Sequence, residues 1–527
     1  MPTETKYQQE ATRAVLKETH WRDRHFRLYR ALEIFPGALV WSAIIGLTIM
    51  AFVRPTWLAT LMLVYVTLWL LKALRFTSFL IRAYTPFVRS MKTDWQAKIE
   101  AVPELQERSK KIRHVILAAT YKEEYETLAR ALEILSKTTF PKDQIIFVLA
   151  TEERDHDHAM SIAARLKHKF GSEFGDFIVT EHPAAIPGEI KGKGTNISWA
   201  GRVIRDYCRQ HRFDIDYTLV TSIDADHRLH PSYLSILSYE FLTDPKPQLS
   251  SYVSVAAFFN NIWDVPSPVR FIHFSSTFWM MATSVWTSRL HNVMTQTQNL
   301  TALIKTDFYP PTSIVEDGQQ YWRSLFTLGD DYDVKMLLMP VFGDAVLTDT
   351  WWGTIKEQYL QRRRWNYGIS DFPYATTHFL LEPKHRTLRV FIDICRHLEG
   401  HFGLATMSLL LGVIGWIPIL LSDINHTVLG LNFQNYYSLV LRFSLVGIIL
   451  SAIFSVALIP PKYEGKWWSK LLVLWDFILL PIQIPLSILL ATSVPSLDSH
   501  TRLMFGRYLG FRVTPKAVST KTTLLDT

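Results

Sequence analysis

Residues 217–226, YTLVTSIDAD, decide the fold class. The stretch opens as an apolar, β-branched run, the pattern of a strand buried on both faces. It closes on two aspartates one residue apart. Working outward, 113–119 (RHVILAA) and 144–150 (QIIFVLA) are runs of the same kind, and 177–179 is a weaker one. Between them, 125–136 shows helical spacing at Leu128, Leu132, Ile134 and Leu135, and 154–169 and 196–211 also read as helices. Strands alternating with helices predict a mostly parallel sheet covered on both faces. In such sheets ligands sit beyond the carboxyl ends of the strands. The polar clusters TYKEE, TEER and DAD all fall there, on one rim.

The chain of 527 residues is 48% hydrophobic and 20% charged, which excludes disorder for most of its length. Its two cysteines, Cys208 and Cys395, exclude a disulfide-rich class. The apolar residues are concentrated. Residues 34–53 and 55–71 carry no charge and are long enough to predict a transmembrane hairpin. Arg22, Arg24, Arg27 and Arg30 precede it, and Lys72, Arg75, Arg82 and Arg89 follow, so both ends are expected in the cytoplasm. Three further spans are expected at 402–422, 443–461 and 477–497. The loop 423–437 lacks Lys and Arg, as an outside loop should, and Asn425-His-Thr427 fits a glycosylation acceptor there. The last run conflicts with five clean crossings. Its tail carries Arg502, Arg507, Arg512, Lys516 and Lys521, and Pro481 and Pro485 interrupt it, so a broken or re-entrant segment is expected.

These readings divide the chain. A basic cytoplasmic segment (1–30) leads into a transmembrane hairpin (31–90). An α/β domain follows (110–370), with aromatic-rich interface helices expected at 255–305 to floor an acceptor site. A juxtamembrane segment (371–400), C-terminal transmembrane helices (401–497) and a basic tail (498–527) complete it. The net charge of +8 gathers beside the spans rather than on one soluble face, which argues against nucleic acid as a partner. A transporter or channel is disfavoured because Arg442 and Asp476, near span ends, are the charges found there.

Four motifs carry chemistry. Asp224 and Asp226 can aim two hard oxygens at one point, a pair suited to Mg²⁺ or Mn²⁺. A lone Asp-x-Asp is usually a solvated loop, but this one follows the strongest strand. Residues 188–196, GEIKGKGTN, open a helix where backbone N–H groups favour anions. Three residues separate Gly188 from Gly192, which is not P-loop spacing, yet Lys193 can neutralise a diphosphate; the plain alternative is a basic turn capped by Asn196. Glu316 and Asp317 start a helix, either as capping charges or with Asp317 as a general base kept ionised by the helix terminus. Glu316 is expected to point about 100° away around the helix. In 361–365, QRRRW, Arg364 can hold a leaving diphosphate and Trp365 can stack on a sugar, or the cluster can simply touch anionic lipid.

The order TYKEE, KGKGTN, DAD, VED, QRRRW resembles membrane-embedded family 2 glycosyltransferases such as cellulose and hyaluronan synthases. The family's spaced aspartates followed by Gln-x-x-Arg-Trp are matched by Asp224, Asp226, Asp317, Gln361, Arg364 and Trp365. The resemblance implies a GT-A-like domain joined to an α-helical membrane region, a nucleotide-sugar donor (a UDP-sugar first), a divalent metal, and inversion at the anomeric carbon. It implies that Thr120, Tyr121 and Glu123 line the nucleotide site, with Glu152, Lys193, Asn196, Asp224 and Asp226 completing donor binding. Gln361, Arg364 and Trp365 would serve the acceptor and diphosphate. The chain departs from the family at the acidic pair after the second strand, where it reads Ala150-Thr-Glu-Glu-Arg-Asp155 with Glu152 as the equivalent, and in Gly-Gln-Gln after Asp317, which lacks an acidic residue. The expected product is a growing polysaccharide, with single-sugar transfer to a lipid or polyprenyl phosphate as the alternative. The expected location is the plasma membrane, multi-pass, with the catalytic domain in the cytoplasm.

Overall fold

A computed structural model describes residues 2–286, 290–421, 426–510 and 512. An eight-stranded sheet forms the centre of the α/β domain, in the order β3-β2-β1-β4-β7-β6-β8-β5. The strands are β1 (Arg113–Ala119), β2 (Ile145–Glu152), β3 (Asp176–His182), β4 (Thr218–Asp224), β5 (Arg228–Leu229), β6 (Ser250–Ala257), β7 (Gln296–Asn299) and β8 (Asp333–Phe342). β1 to β4 pair in parallel, as do β6 and β8, whereas β7 runs antiparallel between β4 and β6. The sheet is therefore mostly parallel but mixed.

Side chains alternate across it with period two. Ile116, Phe147, Leu149 and Ile223 pack with Leu128, Leu132 and Leu166 of the helices Tyr125–Leu135 and His156–Phe170. Val115, Leu117, Val148 and Val220 pack on the other face with Ile197 and Ile204 of the helix Lys193–Gln210. In the register of the sheet Ala119 lies beside both Ala150 and Asp224. The carboxyl ends of β1, β2 and β4 are thus level, and the polar clusters share one rim.

Interface helices were expected in the segment 255–305. It forms one long helix, Ser267–Ser284, then β7, then the short helix Leu300–Lys305. One face of the long helix is covered, with Val269, Ile272, Phe274, Phe278 and Met281 buried with Leu80 and Phe87 of the helix Pro55–Lys92, while Trp279 is exposed on the other. β7 escaped the sequence reading because QTQN has no apolar alternation; its glutamines are buried and paired through side chains, as in Gln298 Nε2 to Ser324 Oγ at 2.9 Å.

Among the described residues, three helices are long and apolar enough to cross a membrane: Phe26–Val53, Pro55–Lys92 and Leu388–Leu420. Ile45, Ile49, Phe52, Trp57, Leu61 and Leu68 are exposed on the first two, a surface that suits lipid. The helix Pro55–Lys92 is 38 residues, about 57 Å at 1.5 Å per residue, so it outruns a hydrocarbon core of about 30 Å and continues into the α/β domain. Val428–Leu458 is a further 31-residue helix. The last apolar run is broken. The helix Leu480–Ala491 has 12 residues, about 18 Å, too short to span, and Thr492 at φ −122°, ψ −97° ends it. The next helix, Ser493–Met504, folds back on the α/β side: Arg30 Nη1 donates to Leu503 O at 2.8 Å and Arg363 pairs with Asp498 at 2.9 Å. The sequence Asn425-His-Thr427 and most of the basic tail, Lys516 and Lys521 included, fall wholly or partly outside the described residues.

The segment 1–30 is more than a basic flank. Its helix Pro2–Arg24 packs Tyr7 and Ala11 against Ile186 and Trp199, and pairs Glu18 with Arg323. Both cysteines are free thiols.

Candidate active site

Three elements deliver charged side chains to one place beyond the strand ends. β4 brings Asp224, the helix Lys193–Gln210 brings its first residue, and the helix Glu316–Leu328 brings its first two. Lys193 Nζ lies 2.6 Å from Asp224 Oδ1 and 3.8 Å from Glu316 Oε1. Gly194 makes this approach feasible, since a Cβ there would meet Glu316 Cβ and Pro310 O at 3.0 Å. Burial alone would favour a neutral lysine, but Asp224, Asp317 and Glu316 outweigh it and hold the Lys193 pKa above the usual lysine range.

Two expectations are corrected at this point. Glu316 does not turn away: it is 7% exposed and faces Lys193. Asp317 is not kept in its charged form by the helix terminus. Burial first, and the adjacent Glu316 second, push its carboxyl up to about 8, against the pull of Lys193. Its oxygens accept hydrogen bonds from Met294 N, just ahead of β7, at 2.9 Å and from Nε2 of Gln296, the first residue of β7, at 3.1 Å. Asp371 sits close behind across Gly318, its own pKa raised by burial and then by Asp317.

Beside this cluster Asp226 Oδ2 accepts from Asp344 N at 2.8 Å, just past the end of β8. His227 Nε2 lies 3.6 Å from Asp224 Oδ2, and its Nδ1 lies 2.8 Å from Thr295 Oγ1. One ligand atom from each of Asp224, Asp226 and His227 lies within 4.8 Å of the others, so two carboxylates and an imidazole can hold one cation. His227 was missed by the sequence reading, although it directly follows the aspartate pair. Phe258 lies at the same place: a Cβ on Gly343 would meet His227, Asp226 and Phe258 at 3.4–3.5 Å. Trp365 reaches the site through Phe258, with ring centroids 6.0 Å apart. Arg364 is near enough to oppose the upward shift of Glu316. Gln361 is buried one turn earlier on the helix Trp351–Asn366, its Oε1 3.4 Å from Gln358 Nε2. Arg362, which carried no role in the sequence reading, lies over Trp365 at 4.7 Å.

A second group gathers at the ends of β1 and β2. Arg154 Nε donates to Glu152 at 2.8 Å and its guanidinium lies 4.4 Å from the Tyr121 ring. Thr120 is buried, its N–H bonded to Ala150 O at 2.9 Å. Glu123 lies in the following loop, where Lys122 takes φ 60° and its N–H is bonded by Asp155 Oδ2 at 2.8 Å. Asn196 is not the helix cap. The helix has already begun at Lys193, and Asn196 is 1% exposed with Nδ2 on Ala150 O at 2.7 Å. Arg154 and Asp155 are thus further residues of this rim, hidden because charge alone does not say which way a side chain turns. Asp476 is neutralised structurally, by Arg270 Nε at 2.6 Å.

No family model matches the chain, and no curated protein matches it by sequence. Among solved structures it is similar to mannosyltransferase PcManGT from Pyrobaculum calidifontis with GDP-Man and Mn²⁺, at TM-score 0.41 and 11% identity over 82% of this chain and 100% of that one. It is also similar to S. aureus TarS 1–349 with UDP-GlcNAc, at TM-score 0.30 and 11% identity over 64% of this chain and 91% of the other.

Proposed function

We propose that this protein is a membrane-bound inverting glycosyltransferase of the family 2 kind, moving a sugar from a nucleotide-sugar donor, a UDP-sugar first, to a growing polysaccharide. The observation that carries the reading is the part-buried cluster of Lys193, Asp224, Glu316 and Asp317, with Asp226 and His227 alongside. A nucleotide sugar brings a diphosphate, and Lys193 is a permanently charged group to meet it. Asp224, Asp226 and His227 would hold Mg²⁺ or Mn²⁺; the imidazole suits Mn²⁺ better, since Mg²⁺ keeps to oxygen. The ion, when bound, supplies positive charge against the diphosphate.

Asp317 is the base in this reading. The acceptor O–H bond breaks toward its carboxylate as the new C–O bond forms at the anomeric carbon. The bond from that carbon to the diphosphate oxygen breaks on the opposite face, which inverts the centre. A base that titrates near the working pH transfers protons most efficiently, and Asp317 at about 8 meets that requirement. Arg364 faces the departing diphosphate and Trp365, with Phe258, backs the sugar. Tyr121, Glu152 and Arg154 would enclose the nucleoside with Thr120 and Glu123. The domain would work on the cytoplasmic side of a plasma membrane, where the flanking arginines and lysines belong.

One observation favours the alternative of single-sugar transfer to a lipid or polyprenyl phosphate. Burial and Glu316 favour the protonated form of Asp317, and an acceptor that is already an ionised phosphate needs no base. Incubating the purified protein with Mn²⁺ and a panel of UDP- and GDP-sugars tests the whole reading through nucleotide release. Release from one donor is expected; release from none, with membrane lipid and glycan acceptors supplied, would overturn it.

A further inference from the structure

Away from the sheet rim, His378 and Glu382 lie at the end of the helix Asp371–Leu381, and His385 ends the turn Pro383–His385. One ligand atom from each, two imidazole nitrogens and a carboxylate oxygen, lies within 4.8 Å of the others. His378 Nδ1 is 2.6 Å from Glu382 Oε1, and His385 Nε2 is 3.2 Å from Glu382 Oε2. A tetrahedral Zn²⁺ holds N and O at about 2.0–2.2 Å, which sets its ligand atoms roughly 3.4 Å apart. The two contacts run to different oxygens of Glu382, so a turn of the carboxylate that brings one oxygen to both rings, with each contact opening by less than about 1 Å, would admit the ion. The rings are already oriented by packing. Trp21 lies flat on His378 at 4.0 Å and 9°, and Phe326 sits 4.5 Å from His385.

We propose that His378, Glu382 and His385 bind a borderline divalent cation, Zn²⁺ fitting best, through three protein ligands and one position open toward solvent. Two imidazoles and one carboxylate form a Zn²⁺ donor set, whereas Mg²⁺ prefers oxygen alone, so this site is chemically distinct from the one at Asp224. Glu382 is the partly exposed ligand, its side chain 30% accessible, and gives the ion a way in. The ion would tie the connection between the helices Asp371–Leu381 and Leu388–Gly412 beneath Trp21 of the N-terminal helix.

The test uses the full-length protein in detergent, stripped with EDTA and titrated with Co²⁺. A visible absorption of four-coordinate Co²⁺ is expected, displaced by Zn²⁺, retained in Asp226→Asn and lost in His378→Ala and His385→Ala. Glu382→Gln preserves side-chain shape and should weaken Zn²⁺ binding at least about tenfold, which covers the case of alanine variants that do not fold. A wild-type protein that gives no such absorption and retains no Zn²⁺ on dialysis overturns the proposal, as does an undiminished spectrum in both histidine variants or an unchanged affinity in Glu382→Gln.

Discussion

At the scale of single residues, a carboxyl that titrates near pH 8 makes an activity that climbs with pH. Asp317 must lose its proton to act as a base, so kcat/KM for sugar transfer should rise as pH increases toward about 8. Saturating Mn²⁺ should move that rise to lower pH, because a cation at Asp224 favours the ionised form of its neighbours. A flat profile from pH 6 to 9 would remove Asp317 as the base and advance the ionised-acceptor alternative. Asp317→Asn should lower transfer by about 10²–10⁴-fold while nucleotide binding stays near normal. Glu316→Gln should also be costly, since it takes a charge from the face of Lys193. Its signature should be weaker donor binding rather than a lost pH dependence, and titration calorimetry separates the two. Asp226→Asn should abolish metal-dependent turnover in a protein that still folds; full activity in EDTA would contradict the metal assignment.

At the scale of elements, the site depends on two helices whose first turns nearly touch. Gly194→Ala would drive a Cβ into Glu316 Cβ and Pro310 O at 3.0 Å, so either backbone must shift. Overpacking of this kind costs about 1–3 kcal/mol. The expected result is a lower melting temperature together with a larger loss of donor affinity than any surface alanine change gives. The helix Pro2–Arg24 is held by Glu18 on Arg323, whose side chain is 9% exposed, and by Thr312 Oγ1 on Glu18 at 2.6 Å. Glu18→Ala should destabilise the fold by on the order of 3 kcal/mol, because it removes the carboxylate from a buried guanidinium that keeps, among the described residues, only the backbone carbonyls of Thr306 and Asp307. Hydrogen exchange should rise first in residues 2–24; unchanged protection there would show that the helix is held by Tyr7 and Ala11 instead. Strands β1, β2 and β4 were legible because each is apolar on both faces. β7 was not, because what holds it is amide side chains paired across a buried sheet, a stabilisation that hydrophobic periodicity cannot register.

At the scale of the whole molecule, the helix Leu480–Ala491 is too short to cross, and the chain returns to the side of the α/β domain. A variant lacking Cys208 and Cys395 provides the background for a labelling test. His426→Cys should react with a membrane-impermeant thiol reagent from the face opposite to Asp157→Cys and Arg507→Cys. Arg507→Cys reacting on the same face as His426→Cys would restore five full crossings.

Composition and order along the chain determined that this is an α/β unit between apolar spans, with its polar clusters on one rim, because strand burial and span length are local properties that a run of residues carries by itself. Which carboxylates meet is not local. Asp317 reads as a helix-start charge until the chain folds, and only then do burial, Glu316 and Lys193 reset its proton affinity. His227, Arg154 and the group His378, Glu382 and His385 were hidden for the same reason. A side chain's chemistry is set by what the fold turns it toward, and that direction comes from packing between segments far apart in sequence.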